Sequence, residues 1–137
     1  MRRAIKRGLA AAGGAGVAMV LTAATASAAS TVNVSANDGS GTAKATAWGQ
    51  FRGAMTGQLK STSGKKVYYE GLIVFDGNTD QNCGRMTGDV TSTSLTSVTG
   101  SCSVNPQVGR PSGMKFRVCT NINNLPDPCG SWSSKSS

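Results

Sequence analysis

The sequence predicts an all-β protein, a single antiparallel β-sandwich of about seven strands. Apolar and polar residues alternate along most of the chain after residue 28, which is the period of a half-buried strand. Clusters of Gly, Asn, Asp and Ser interrupt this pattern roughly every 8 to 12 residues, as turns do in a sandwich. No segment keeps a helical period, and residues 29–137 are enough for one domain.

The first 28 residues are predicted to lie outside this fold as a secretory signal peptide. Met1–Arg7 is basic, Gly8–Leu21 is apolar and rich in small residues, and Ala26–Ala28 supplies the Ala-x-Ala step at which such leaders are cleaved. The apolar run is too short and too weakly apolar to span about 30 Å of hydrocarbon. The sequence therefore predicts a secreted, extracellular domain of residues 29–137 with no membrane insertion after cleavage.

The predicted strands follow one another with short turns between them. The run 67–75 is the most apolar, which predicts the central strand of a sheet. Small residues alternate along 42–51, which suggests one face packed closely against a second sheet and places Trp48 on the opposite, polar face. The Ser-rich tail beyond Trp132 is expected to be frayed. The predicted strands are residues 31–36, 42–51, 54–60, 67–75, 83–87, 95–104 and 114–120.

Four cysteines in an exported chain predict two disulfides rather than metal ligands. Large apolar residues are sparse, and a thin core needs covalent links. Of the three possible pairings we prefer the sequential one, because Cys119 ends an apolar strand and Cys129 closes the Pro-rich loop that follows it. The pairs are then Cys83 with Cys102 and Cys119 with Cys129, each contributing about 3 kcal/mol on the chain-entropy account.

The composition disfavours most enzyme classes. The chain has no His, which excludes Ser-His-Asp and Cys-His arrangements. Oxidised cysteines leave no thiolate nucleophile and no zinc cluster. The pair of carboxylates nearest the apolar centre, Glu70 and Asp76, is interpreted as an exposed strand residue and a turn residue. We expect no enzyme activity, no cofactor and no metal, and a glycan-directed hydrolase is the weakest alternative.

The charged residues bear on two further ligands, nucleic acid and calcium. Four of the 14 Lys and Arg residues lie in the leader, so ten face six acidic residues and the mature net charge is +4. The basic residues are scattered without a nucleic-acid-binding motif, so no nucleic-acid partner is expected. Asp76, Asn78 and Asp80 have calcium-loop spacing, but Gln81 and Thr87 occupy positions where such a loop needs Gly and Glu. A hairpin turn is the preferred interpretation, and calcium binding remains open.

Two features are candidates for binding. The loop between Cys119 and Cys129 contains two prolines, and a stiff loop that exposes Ile122 and Leu125 loses little entropy when it binds; its alternative role is a structural crossover. Trp48 and Tyr68 are candidates for stacking on a sugar ring, with packing inside the sandwich as the alternative. Tyr69 must point away from Tyr68, because successive side chains on a strand face opposite ways.

The residues also carry a resemblance. The leader, residues 41–49, and the ending formed by Phe116–Cys119 and Asp127–Trp132 resemble the small secreted, disulfide-containing β proteins of actinobacteria. The resemblance implies the fold and the location, and no particular activity. We therefore expect a non-enzymatic binding or surface-associated module whose partner is an extracellular protein or polysaccharide. The main alternative is a secreted protease inhibitor acting through the loop between Cys119 and Cys129.

Overall fold

The fold is all-β, as the alternating pattern predicts. A computed structural model describes residues 29–137, and the predicted signal peptide lies outside the described residues. These residues form seven strands and no helix: β1 (Thr31–Ser35), β2 (Gly39–Trp48), β3 (Arg52–Ser61), β4 (Val67–Asp76), β5 (Gln81–Arg85), β6 (Thr96–Ser103) and β7 (Arg110–Thr120). The described residues therefore contain no helix long and apolar enough to cross a membrane.

The strands form two antiparallel sheets that pack face to face. The larger sheet has the order β1-β2-β3-β6, and the smaller has the order β5-β4-β7. The apolar strand β4 is central in the smaller sheet, between β5 and β7. The core lies between the sheets, and its largest fully buried side chains come from β3, β4 and β7: Met55, Leu59, Tyr69, Ile73, Met114 and Phe116.

One side chain of β4 reaches across this core to the opposite sheet. The Tyr69 hydroxyl lies 2.7 Å from the carbonyl oxygen of Gln58 and 3.1 Å from that of Thr42. A Cβ at Gly41 would lie only 2.7 Å from the same hydroxyl. Gly41 therefore leaves the space through which Tyr69 reaches the backbone of β2 and β3.

Both predicted disulfides are confirmed. Cys83 and Cys102 join β5 to β6, which are edge strands of the two sheets, with their Cα atoms 5.5 Å apart. Cys119 and Cys129 close the loop after β7, with their Cα atoms 4.0 Å apart. No described cysteine is free. Two disulfides in a small domain indicate an oxidising, extracellular compartment.

The C-terminal tail is ordered, so the prediction that it frays is wrong. Ser136 exchanges two backbone hydrogen bonds with Met114 of β7, at 2.8 and 3.0 Å. Its hydroxyl accepts a hydrogen bond from the Ala45 amide at 2.9 Å and donates one to the Ser30 carbonyl at 2.6 Å. Ser136 is fully buried. The tail closes the side of the sandwich opposite the Cys83–Cys102 disulfide, because it pairs with the backbone groups on the edge of β7. The Ser-rich composition of the tail gives no sign of this pairing.

Candidate functional site

Trp48 does not occupy the exposed position that simple alternation predicts. The pairing of β2 with β3 shifts by one residue between Ala45 and Ala47, which is a β-bulge. After the bulge, Trp48 pairs with Gly53, where an added Cβ would lie 2.6 Å from the core residue Met114. Trp48 is therefore turned inward and packs, half-buried, against the core.

Tyr68 is covered rather than exposed. Its side of β4 is opposite that of Tyr69, as predicted, yet its relative exposure is only 4%. The Arg85 guanidinium lies over the ring at 4.2 Å, and the Tyr68 hydroxyl donates a 2.6 Å hydrogen bond to Asp127. Tyr68 and Trp48 also belong to different sheets. The predicted aromatic strip for sugar stacking therefore does not form.

Glu70 and Asp76, the two carboxylates nearest the apolar centre, lie far apart on one strand. The Arg117 guanidinium holds Glu70 through contacts of 2.7 and 3.0 Å to one oxygen, and Arg117 also stacks on Trp132 at 4.3 Å. Asp76 ends the same strand, and six residues of strand rise place it about 20 Å from Glu70. Glycoside hydrolysis needs two carboxyl groups about 5 to 10 Å apart. This pair does not have that geometry.

The side chains of two candidate metal sites already have other bonding partners. Glu70 lies near the sulfurs of Cys119 and Cys129, but a disulfide offers no thiolate. In the turn after β4, the Asn78 side-chain oxygen accepts a hydrogen bond from the Thr79 amide at 2.8 Å. Asp80 accepts one from the Phe75 amide at 3.2 Å. These side chains therefore bond to the backbone of a hairpin turn, as the preferred interpretation predicts.

The segment between Cys119 and Cys129, residues 120–128, is the clamped loop. At its base the Thr120 amide donates to the Pro128 carbonyl at 2.9 Å. One residue on, the Asn121 amide donates to the Lys66 carbonyl at 2.8 Å, and its side chain donates to Asp89 at 3.0 Å. The loop is therefore bound to the β3–β4 turn and to the segment after β5, in addition to its disulfide.

Asp127 holds the loop from within and ties it to β4. One carboxylate oxygen accepts the Ile122 amide at 3.0 Å, and the other accepts the Tyr68 hydroxyl. These two hydrogen bonds, that from Ile122 first, lower the pKa of Asp127. Burial, followed by the bond to Asp127, raises the pKa of Tyr68. At neutral pH the contact is therefore a phenol donating to a carboxylate, which is the stronger, charge-assisted type of hydrogen bond.

Leu125 stands at the apex of the clamped loop with 65% of its surface exposed. Asn124 before it adopts a left-handed conformation with φ of 65°, which Asn tolerates better than most residues. Ile122 is half-buried, so the expectation that both apolar residues are exposed holds for Leu125 alone. The loop thus presents one large apolar side chain on a fixed turn.

A polar cleft lies beside the base of the clamped loop. Its volume is about 480 Å³, and it separates the β1–β2 turn from residues 128–131. On its lining, the Thr120 hydroxyl donates a 2.9 Å hydrogen bond to Asp38. This bond, and after it one from Ser63, lowers the pKa of Asp38. Asp38 lies in the sequence Asn37–Gly41, which indicates only a turn, and nothing local indicates its contact with Thr120.

The structure brings together three of the four predicted binding residues. Ile122 and Leu125 belong to the clamped loop, and Tyr68 lies beneath it through Asp127. Trp48 lies apart, at the end of β2 far from the start of β4. No known protein family, curated protein or solved structure matches this chain. The clamped loop and the residues that hold it are therefore the candidate functional site.

Proposed function

We propose that residues 29–137 form a secreted, non-enzymatic binding module that presents the clamped loop to an extracellular protein, after residues 1–28 have directed export. The observation that carries the proposal is Leu125, which is 65% exposed on a loop closed by a disulfide and braced by Asp127. A large apolar side chain in water adds little to folding but is available to a partner.

The loop is prepared for binding before the partner arrives. Its base, its first residues and Asp127 are all hydrogen-bonded in the free chain. A loop that is already ordered loses less conformational entropy on association, so more of its contact energy is expressed as affinity. Among the described residues, four large apolar side chains are exposed: Phe51, Leu95, Val108 and Leu125. Leu95 and Leu125 both lie between disulfide-bonded cysteines, and Leu125 lies in the shorter segment, because Cys119 and Cys129 are 10 positions apart and Cys83 and Cys102 are 19 apart.

The alternatives have weaker support from the same geometry. A polysaccharide partner was favoured by an exposed aromatic strip, and that strip does not form, because Tyr68 is covered and Trp48 faces inward. A protease inhibitor normally offers an extended segment to the enzyme, whereas this apex turns at Asn124 and continues into Pro126. A protein partner with an apolar pocket for Leu125 fits the loop better than either.

The test compares two exposed apolar residues at different places on the surface. Residues 29–137 are immobilised as the wild type, as Leu125→Ser and as Val108→Ser, and each is incubated with culture supernatant of the producing organism and with its cell-wall polysaccharide. Val108 is 82% exposed on the β6–β7 loop and is the matched control. Neither change should alter the free energy of unfolding by more than about 0.5 kcal/mol.

We expect one supernatant protein to be retained by the wild type and by Val108→Ser, and to be lost with Leu125→Ser. Retention that is equal in all three proteins contradicts the proposal. Retention of polysaccharide alone also contradicts it, and supports a glycan-binding role.

A further inference from the structure

We propose that the cleft beside the clamped loop is a subsite for a cationic side chain, Arg or Lys, of the bound partner. The proposal rests on the proposed function, because it specifies what the partner carries next to the residue that receives Leu125. It concerns the cleft walled by the β1–β2 turn, which carries Asp38, and by residues 128–131, with Thr120 also on the lining.

The shape of the cleft is built into the chain. Gly130 has no side chain, and an added Cβ would lie 2.7 Å from the Cβ of Ala36 and 2.8 Å from the Ser35 carbonyl oxygen. The two walls can therefore approach each other at one point and open into about 480 Å³ beside it. Pro128 and Cys129 belong both to this wall and to the base of the clamped loop. A partner seated on the loop would lie across the cleft.

The chemistry of the cleft is that of a fixed carboxylate. Thr120 holds one oxygen of Asp38. The carboxyl is ionised at neutral pH, as an ordinary aspartate is, and the hydrogen bonds from Thr120 and Ser63 lower its pKa further. The other oxygen has the Lys65 ammonium at 4.0 Å, the limit of an ion pair. The Asp38 side chain is only 20% exposed, whereas that of Lys65 is 61% exposed. The carboxylate is therefore held in place while its cation is loosely held and exchangeable.

Lys65 serves as the resident cation that a ligand would replace. An ion pair at such a distance, in contact with water, is weak. A guanidinium or ammonium that enters from a partner can displace it without leaving Asp38 unpaired. The mature net charge of +4 does not attract cations at long range. Selectivity for a cation must therefore come from direct contact with Asp38.

The test uses a small probe, so it does not depend on the partner. Residues 29–137 labelled with nitrogen-15 are titrated with N-acetyl-arginine methylamide and with N-acetyl-citrulline methylamide, which has nearly the same shape and no charge. We expect saturable shifts of the Asp38, Thr120 and Gly130 amide signals with the arginine probe only. Asp38→Asn should abolish them, and Lys65→Ala should tighten binding about 1.5- to 5-fold by removing the competing cation.

A matched charge change elsewhere separates this subsite from a general charge effect: Asp76→Asn, which removes the same charge at the exposed end of β4, should leave probe binding unchanged. Equal shifts with the citrulline probe, no saturable shift, or weaker binding in Lys65→Ala would overturn the proposal; if Asp38→Asn does not fold, the citrulline and Lys65→Ala comparisons decide. Leu125→Ser should leave probe binding unchanged. If Leu125→Ser loses the partner but the arginine probe does not bind the wild type, the subsite is refuted and the proposed function stands. If the probe binds but Leu125→Ser still retains the partner, the proposed function is refuted and the cation site stands.

Discussion

Replacing Tyr69 by Phe should lower the free energy of unfolding by about 1 to 3 kcal/mol. The ring is fully buried and stays in place, so almost no apolar contact is lost. The change removes the hydroxyl that lies 2.7 Å from the Gln58 carbonyl and 3.1 Å from the Thr42 carbonyl. A buried oxygen that loses its donor costs more than an average hydrogen bond returns. For a domain of this size the melting temperature should fall by roughly 5 to 15 °C.

Urea and thermal denaturation followed by circular dichroism, with both disulfides intact, measure this effect. Tyr68→Phe is the control, because it makes the same chemical change one residue earlier on the opposite face. That variant loses a bond to Asp127 at the base of the clamped loop, not a link between the sheets. A loss below about 0.5 kcal/mol for Tyr69→Phe would refute the role of Tyr69 in joining the sheets.

Three other outcomes are expected. Ser136→Ala should lower the free energy of unfolding by about 1 to 3 kcal/mol in urea titrations, because it leaves the buried Ala45 amide without an acceptor, while the exposed Ser134→Ala should have almost no effect. Gly41→Ala should also destabilise the domain in thermal melts, because its Cβ would clash with the Gln58 carbonyl oxygen and crowd the Tyr69 hydroxyl. Folding lowers the pKa of Asp127 from its ordinary 3.8, so the stability that this carboxylate adds is fully present above pH 3.8 and is lost as the pH falls through the lower folded pKa. In amide exchange, the clamped loop should lose its protection before the strands do as the pH is lowered.

Local pattern was sufficient to predict the fold. Period-two alternation and regularly spaced turns indicated seven strands, and the apolar run 67–75 indicated the central strand. The same alternation failed at Trp48, because one extra residue at the β2 bulge reverses every side chain that follows. A periodic pattern of small residues contains no signal for such an insertion.

The candidate site was only partly predictable. The cysteine spacing and the two prolines identified the clamped loop, and Leu125 is exposed at its apex as expected. The contacts that fix the loop and form the cleft join residues far apart in sequence: Tyr68 bonds to Asp127 across 59 positions, and Asp38 bonds to Thr120 across 82. Such pairs depend on how the sheets pack, and the sequence around each residue does not indicate its partner.

The proposed binding role requires the clamped loop to be ordered already in the free protein. Backbone nitrogen-15 relaxation of residues 29–137 tests it most directly, with β4 and β7 as internal references. The hydrogen bonds of Asn121, Ile122 and Asp127 predict order parameters of about 0.85 through the loop, close to those of the strands. Order parameters below about 0.6 between Asn121 and Asp127 would contradict the account, because a flexible loop would have to be ordered by its partner.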